Sequence, residues 1–108
     1  MDIYHIGCDL APGTDGREFA AAVEAWLGHL RGEGVIERYR ITRRKLGLSG
    51  IDMGEFHITI ETRDLAQLDA AFRIAARDGE PARSLHAAVQ ARARNTRFAL
   101  YRDFPDDA

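Results

Sequence analysis

Two histidines, His5 and His57, lie in short segments whose residues alternate between apolar and polar, so a strand would carry each on one defined side. In residues 2–10, Ile3, His5, Gly7 and Asp9 share one parity; in residues 54–61, Glu55, His57, Thr59 and Glu61 share one. Successive strand side chains point to opposite faces, so both histidines can project from one sheet face. An imidazole titrating near about 6.5 suits proton transfer at neutral pH, and a guanidinium holds a carboxylate through two parallel hydrogen bonds. His5 and His57 are therefore candidate general bases, and Tyr101 is a candidate donor to a developing oxyanion. Arg38, Arg40, Arg97, Glu55 and Asp9 form the candidate substrate-binding set, suited to a small anionic or aromatic ligand.

The same residues also have a purely structural reading. Arg38, Arg40 and Arg97 can pair with Asp9, Glu55 and Glu61, and an unpaired charge buried between sheets would be costly in an enzyme as well. Two histidines with Glu55 or Glu61 would make a set that Fe(II) or Zn(II) accepts. Neighbouring strands bring many such pairs together by chance, so a hydrogen-bonded pair is the simpler reading and no metal or cofactor is assigned. Cys8 is the only cysteine, which excludes an intrachain disulfide; between Ile6 and Leu10 it reads as a buried, inert thiol. Trp26 reads as a core residue, His29 and His86 as helix-surface or boundary residues, and Arg43-Arg44-Lys45 as a solvated hairpin shoulder.

The elements that must position these groups follow from periodicity. Residues 2–10 form a strand ended by Pro12-Gly13. Asp15 with Glu18 has the spacing of a capping box, and Phe19, Val23, Trp26, Leu27 and Leu30 follow at helical intervals until Gly32 and Gly34. Residues 35–44 return to period two, with Tyr39 and Ile41 toward the core. Residues 45–53 make a long hairpin connection with unusual apolar content, Leu46, Leu48 and Ile51 among its glycines. Residues 54–61 are the clearest strand. Asp64 with Gln67 caps a second helix bearing Leu65, Leu68, Phe72 and Ala75. Gly79-Glu80-Pro81 breaks it, and a third helix carries Leu85, Val89 and Ala93. Residues 96–101 form a short last strand with Phe98 and Leu100 inward, and Phe104-Pro105-Asp106-Asp107 reads as an extended tail.

This order predicts one α+β domain over residues 1–108: a ferredoxin-like βαββ(αα)β four-stranded antiparallel sheet, first and third strands central, helices on one face. The helices would cover Tyr4, Ile6, Phe56, Ile58, Phe98 and Leu100. The opposite face mixes Ile3, Gly7, Thr59, Ala99 and Tyr101 with the charged groups and histidines, whereas a solvated face would be polar at nearly every alternate position. Its economical cover is a second copy of the same sheet, making a homodimer. His5 and His57 then lie directly opposite, or diagonal if the register shifts by two residues and brings Asp9 opposite Glu55. The net charge of -2, from 15 basic and 17 acidic residues, lacks a nucleic-acid footprint, and the central strands offer no aromatics for base stacking on that face. Neither a secretory signal nor a membrane span is visible, so a cytoplasmic location is expected.

On these features the chain resembles the dimeric α/β-barrel group, in which two ferredoxin-like protomers pack sheet against sheet; antibiotic-biosynthesis monooxygenase-like, EthD-like and stress-responsive proteins belong to it. More narrowly, the segments YRITRRKLGL (39–48), GEFHI (54–58) and RFALYRDFP (97–105) resemble a small bacterial family without an assigned activity. The wider resemblance implies a ligand cleft between helices and sheet, or inside the dimer barrel on the histidine face. The Asn, Trp and His arrangement of its oxygenases and haem-degrading members is not matched by Asn95 and Trp26, so that chemistry is not carried over. The implied function is a cofactor-independent small-molecule enzyme or sensor; the alternative is a non-catalytic dimeric stress-related or assembly module.

Overall fold

In a computed structural model, which describes residues 1–48, 51–76 and 79–105, strand β1 (Asp2–Leu10) passes directly into a turn and then helix α1 (Gly16–Gly32). Asp15 starts that helix: its carboxylate accepts from the Glu18 backbone N–H at 2.8 Å, satisfying a donor that no helical carbonyl can reach. Phe19, Val23, Trp26, Leu27 and Leu30 face inward from α1, at the spacing the sequence predicts. Phe19 and Leu27 have no exposed surface; burying a side chain of this size stabilises the fold by about 1.5–3 kcal/mol.

Strands β2 (Arg38–Arg43) and β3 (Phe56–Thr62) flank the long connection, and helices α2 (Leu65–Ala76) and α3 (Ala82–Arg92) lead to β4 (Ala93–Arg102). The described residues form one four-stranded antiparallel sheet of order β2-β3-β1-β4, so β1 and β3 are central and the α+β ferredoxin-like expectation holds. β3 alternates buried and half-buried residues along its whole length, with Phe56, Ile58 and Ile60 in the core.

Gln67 has a larger role than its capping spacing suggests. Asp64 Oδ1 accepts from the Gln67 backbone N–H at 2.9 Å, while Gln67 Oε1 accepts from the Arg63 N–H at 2.7 Å. The same buried side chain donates to the Gly34 carbonyl at 3.1 Å and to Glu37 at 2.8 Å. It therefore ties the start of α2 to the link between α1 and β2.

Several elements differ from expectation. β2 begins at Arg38, because Val35 and Ile36 pack on the core ahead of the strand. In α2 the buried residues are Gln67, Leu68 and Ala71, whereas Leu65 and Phe72 are exposed; the side chain of Ala75 lies outside the description. β4 has ten residues, starting where α3 ends. A register shift against Gly7 and Asp9, with Asn95 at φ +55°, breaks the alternation that would have marked its first half. Phe98 and Leu100 do lie on the helix side, opposite Ile6 and Tyr4, but they are 61% and 52% exposed because the helix layer stops short of this edge. Of the tail, Phe104 is exposed, and Asp106 and Asp107 lie outside the described residues.

Candidate functional site

The sheet face away from the helices is laid out in rows. Register pairs His5 with Thr59 and Gly7 with His57, so the histidines are diagonal neighbours. Arg40, Thr59, His5 and Ala99 make one row across the four strands; Thr42, His57, Gly7 and Arg97 make the next; Arg38, Glu61, Ile3 and Tyr101 make a third. The two rings meet across this diagonal: His5 Nδ1 lies 2.9 Å from His57 Nε2. Such a contact needs one proton between two nitrogens, so one ring donates and the other accepts. Tyr101 stands edge-on to His5 with ring centroids 4.9 Å apart. Burial, and secondarily the neighbouring His57, hold the His5 pKa below the usual histidine value.

The charged groups largely neutralise one another. Arg38 donates to Glu61 at 3.0 Å. Glu55 is gripped by Arg43, at 3.0 Å from Nε and closer from Nη2, rather than by any of the three arginines of the candidate set. Arg97 lies 3.2 Å from Asp52 and 4.0 Å from Asp9. Asp9 also accepts from the Glu55 backbone N–H at 3.1 Å and from Asn95 at 3.2 Å, which keeps its carboxyl below the ordinary carboxylate range, the Asn95 bond contributing most. Arg40 is exposed and has no ion-pair partner among the described residues. No third His, Cys, Asp or Glu converges on the histidine pair among the described residues, since Glu55 and Glu61 are turned to Arg43 and Arg38.

Asp52, Met53 and Gly54, from the end of the β2–β3 connection, lie against this face. The Met53 carbonyl packs on Gly7, Gly54 adopts φ +79° against the Cys8 backbone, and Arg97 reaches across to Asp52. A cleft of about 280 Å³ remains beneath the connection, and His57, Glu55, Thr42, Arg43, Arg44 and Ile51 are among its lining. His5 and Tyr101 do not line it.

A second cavity, of about 260 Å³, lies on the other side of the sheet, between it and the helices. Its walls include Tyr4, Trp26, Leu30, Ile60, Ala71 and Phe72, and His86 and Phe98 are also in its lining. Burial raises the Tyr4 pKa and lowers that of His86, favouring the neutral form of each. His86, expected as a helix-surface or boundary residue, is half-buried and stacks on Trp26 at 4.7 Å between ring centroids. Sequence periodicity misses this site because six elements contribute to it, most of them by residues that read as core. Cys8 is buried, with its thiol pushed up to about 11 chiefly by burial.

A family model described as a family of unknown function, DUF6614, matches residues 1–108. The chain belongs to DUF6614. No curated protein matches it. Solved structures similar to this DUF6614 chain include At3g17210 from Arabidopsis thaliana, 4% identical with 100% of both chains covered and a TM-score of 0.76. SnoaB from Streptomyces nogalater, a cofactor-independent oxygenase, is 9% identical over 97% of this chain and 95% of its own, with a TM-score of 0.65. A dimeric ferredoxin-like protein of unknown function from Jannaschia sp. CCS1 is 17% identical over 95% of this chain and 100% of its own, with a TM-score of 0.63. At these identities the likeness concerns the fold, and it extends to proteins described as dimeric. Among the described residues of the DUF6614 chain, no helix is long and apolar enough to cross a membrane.

Proposed function

We propose that this DUF6614 chain is a homodimeric small-molecule enzyme that moves a proton without an obligatory organic cofactor, using the histidine pair on the open sheet face. The observation that carries the reading is the 2.9 Å contact between His5 Nδ1 and His57 Nε2 on a half-apolar face beside a cleft. In this reading one neutral imidazole takes a proton from a carbon or oxygen acid. The proton is passed or shared along the Nδ1–Nε2 contact, and the electron pair left on the substrate becomes an enolate or alkoxide. The depressed His5 pKa keeps that ring available as a base at neutral pH. Tyr101, on the partly apolar side of His5, is the assigned oxyanion donor. Arg40 is the assigned anchor for a substrate carboxylate, because its row includes His5 two strand spacings away, about 10 Å. A second copy laid on this face would supply the dry surroundings that the isolated chain lacks, and dimeric structures of the same fold support that arrangement.

The ion pairs support a second reading, a non-catalytic module whose sheet face only holds the dimer: Arg38–Glu61 and Arg97–Asp52 are already formed within one chain. Thermal-shift screening against small aromatic and enol-type acids separates the two. The enzyme reading expects stabilising compounds whose effect is lost in His5→Ala and His57→Ala. If no compound shifts the melting temperature, or both variants keep the shift, the module reading stands.

A further inference from the structure

The β2–β3 connection begins with a tight turn whose leucine suits neither the solvent nor the turn. The Leu48 N–H donates to the Lys45 carbonyl at 3.0 Å, and the residues between them, Leu46 and Gly47, have φ of +58° and +65°. Positive φ at both central positions is the pattern of a type I′ turn, which favours Asn, Asp or Gly there. Gly47 meets that demand. Leu46 does not, because a bulky side chain strains left-handed backbone. Nor does burial compensate: Leu46 is 83% exposed, and Leu48 and Ile51 are 76% and 69% exposed. Aliphatic side chains clustered in water, one of them on strained backbone, mark a contact surface.

Charge identifies what covers it. The whole chain has a net charge of -2, so attraction to an anionic surface has to come from a local excess of cations. Near the turn, Glu55 is neutralised by Arg43 and Asp52 by Arg97. Arg44 and Lys45 are exposed, and among the described residues neither forms an ion pair. Two surplus cations therefore stand directly beside the aliphatic tip. A bilayer has the matching order, an anionic headgroup layer lying over an apolar one, and it accepts protruding side chains without a shaped groove. We propose that Leu46, Leu48 and Ile51 are a docking tip for an anionic lipid surface, with Arg44 and Lys45 held at the headgroups. The aliphatic side chains enter the boundary between headgroups and acyl chains, and the long cationic side chains reach back to the headgroups. Docking of this kind is reversible, and it does not depend on the chemistry of the histidine pair.

The test is sedimentation of the full chain with vesicles of phosphatidylcholine, alone or with about 30% phosphatidylserine. The natural chain should partition onto the anionic vesicles at about 1 mM lipid and bind at least about fivefold more weakly to phosphatidylcholine alone. Leu46→Asn is the informative variant, since asparagine tolerates the left-handed region. Its melting temperature should stay the same or rise, while its binding to anionic vesicles falls about fivefold or more. Arg44→Gln combined with Lys45→Gln should erase the preference for anionic vesicles. Absence of binding to anionic vesicles overturns the proposal, as does equal binding to both compositions or undiminished binding of Leu46→Asn. Light scattering supplies a further check: if Leu46→Asn converts a dimer to a monomer, the tip belongs to a contact between copies and the proposal fails. Binding to soluble polyglutamate that Leu46→Asn weakens equally would assign the tip to an acidic protein, which also overturns it. If Leu46→Asn does not fold, Leu48→Ser, outside the centre of the turn, makes the same comparisons.

Discussion

The Met53 carbonyl rests on Gly7 so closely that a Cβ at position 7 would overlap it. This contact seats the β2–β3 connection on the sheet face beside the histidine pair, and it depends on glycine for space rather than for an unusual φ. Gly7→Ala should therefore lower stability by about 1–3 kcal/mol, as overpacking against backbone does. Gly28→Ala in α1, where a Cβ would meet only the Tyr39 hydroxyl at 3.9 Å, should raise stability by about 0.5–1 kcal/mol. Urea denaturation of the two variants checks both signs.

Arg97 provides the second attachment of that connection, through Asp52 at 3.2 Å. The pair is largely exposed on the Asp52 side, so its contribution to global stability is small, under about 1 kcal/mol. Its local effect should be larger. Arg97→Met should leave the denaturation midpoint nearly unchanged while speeding amide exchange between Arg44 and Gly54. Unchanged exchange there would show that the Gly7 contact alone seats the connection.

Much of this architecture was legible in the sequence because it follows from local rules. Alternation in residues 2–10 and 54–61 identified the central strands, and Asp15 and Asp64 marked two helix starts through cap spacing. Parity placed His5 and His57 on one face; it could not choose between opposite and diagonal pairing, which depends on register. The start of β4, Ala93 to Asn95, was not legible, because the alternation breaks where the bulge falls. Periodicity also assigned Phe98, Leu100 and Phe72 to the core, since a pattern fixes the side a residue faces and not whether another layer reaches it. The helix-side cavity is a property of that incomplete layer.

Cys8 should behave as an inert thiol. With its pKa pushed up to about 11 and its side chain buried, about one thiol in a thousand would be ionised at pH 8. A disulfide-exchange reagent should react with the native protein at least a hundredfold more slowly than with the protein in denaturant. Equal rates would mean that the β1 core opens on the timescale of the reaction.

The sheet-face dimer makes a separate prediction. Ala99 lies in the same row as His5, on the strand next to it, and its small side chain permits close approach of a second sheet. Light scattering at micromolar concentration should give a dimer, and Ala99→Arg should give a folded monomer with unchanged circular dichroism. A monomeric natural chain would remove the reason for a half-apolar outer face and leave the histidine pair open to water.

Stability should fall as His5 and His86 are forced to ionise. His5 has a folded-state pKa below its unfolded value of about 6.5, chiefly through burial. In the interval between those two values the unfolded chain binds more protons than the folded one, so stability increases with pH there. The contribution is fully present above about pH 6.5 and is lost as pH falls toward the folded pKa. The contact with His57 acts in the same direction, because two protonated rings would set N–H against N–H at the 2.9 Å contact. His86 is also held low by burial, beneath the helices. Melting temperatures measured from pH 7.5 to pH 5 should therefore fall for the natural chain, fall less for His5→Gln, and fall least for the variant that also carries His86→Gln. A profile unchanged by both substitutions would place the acid sensitivity elsewhere and show that the His5–His57 pair accepts a second proton without penalty.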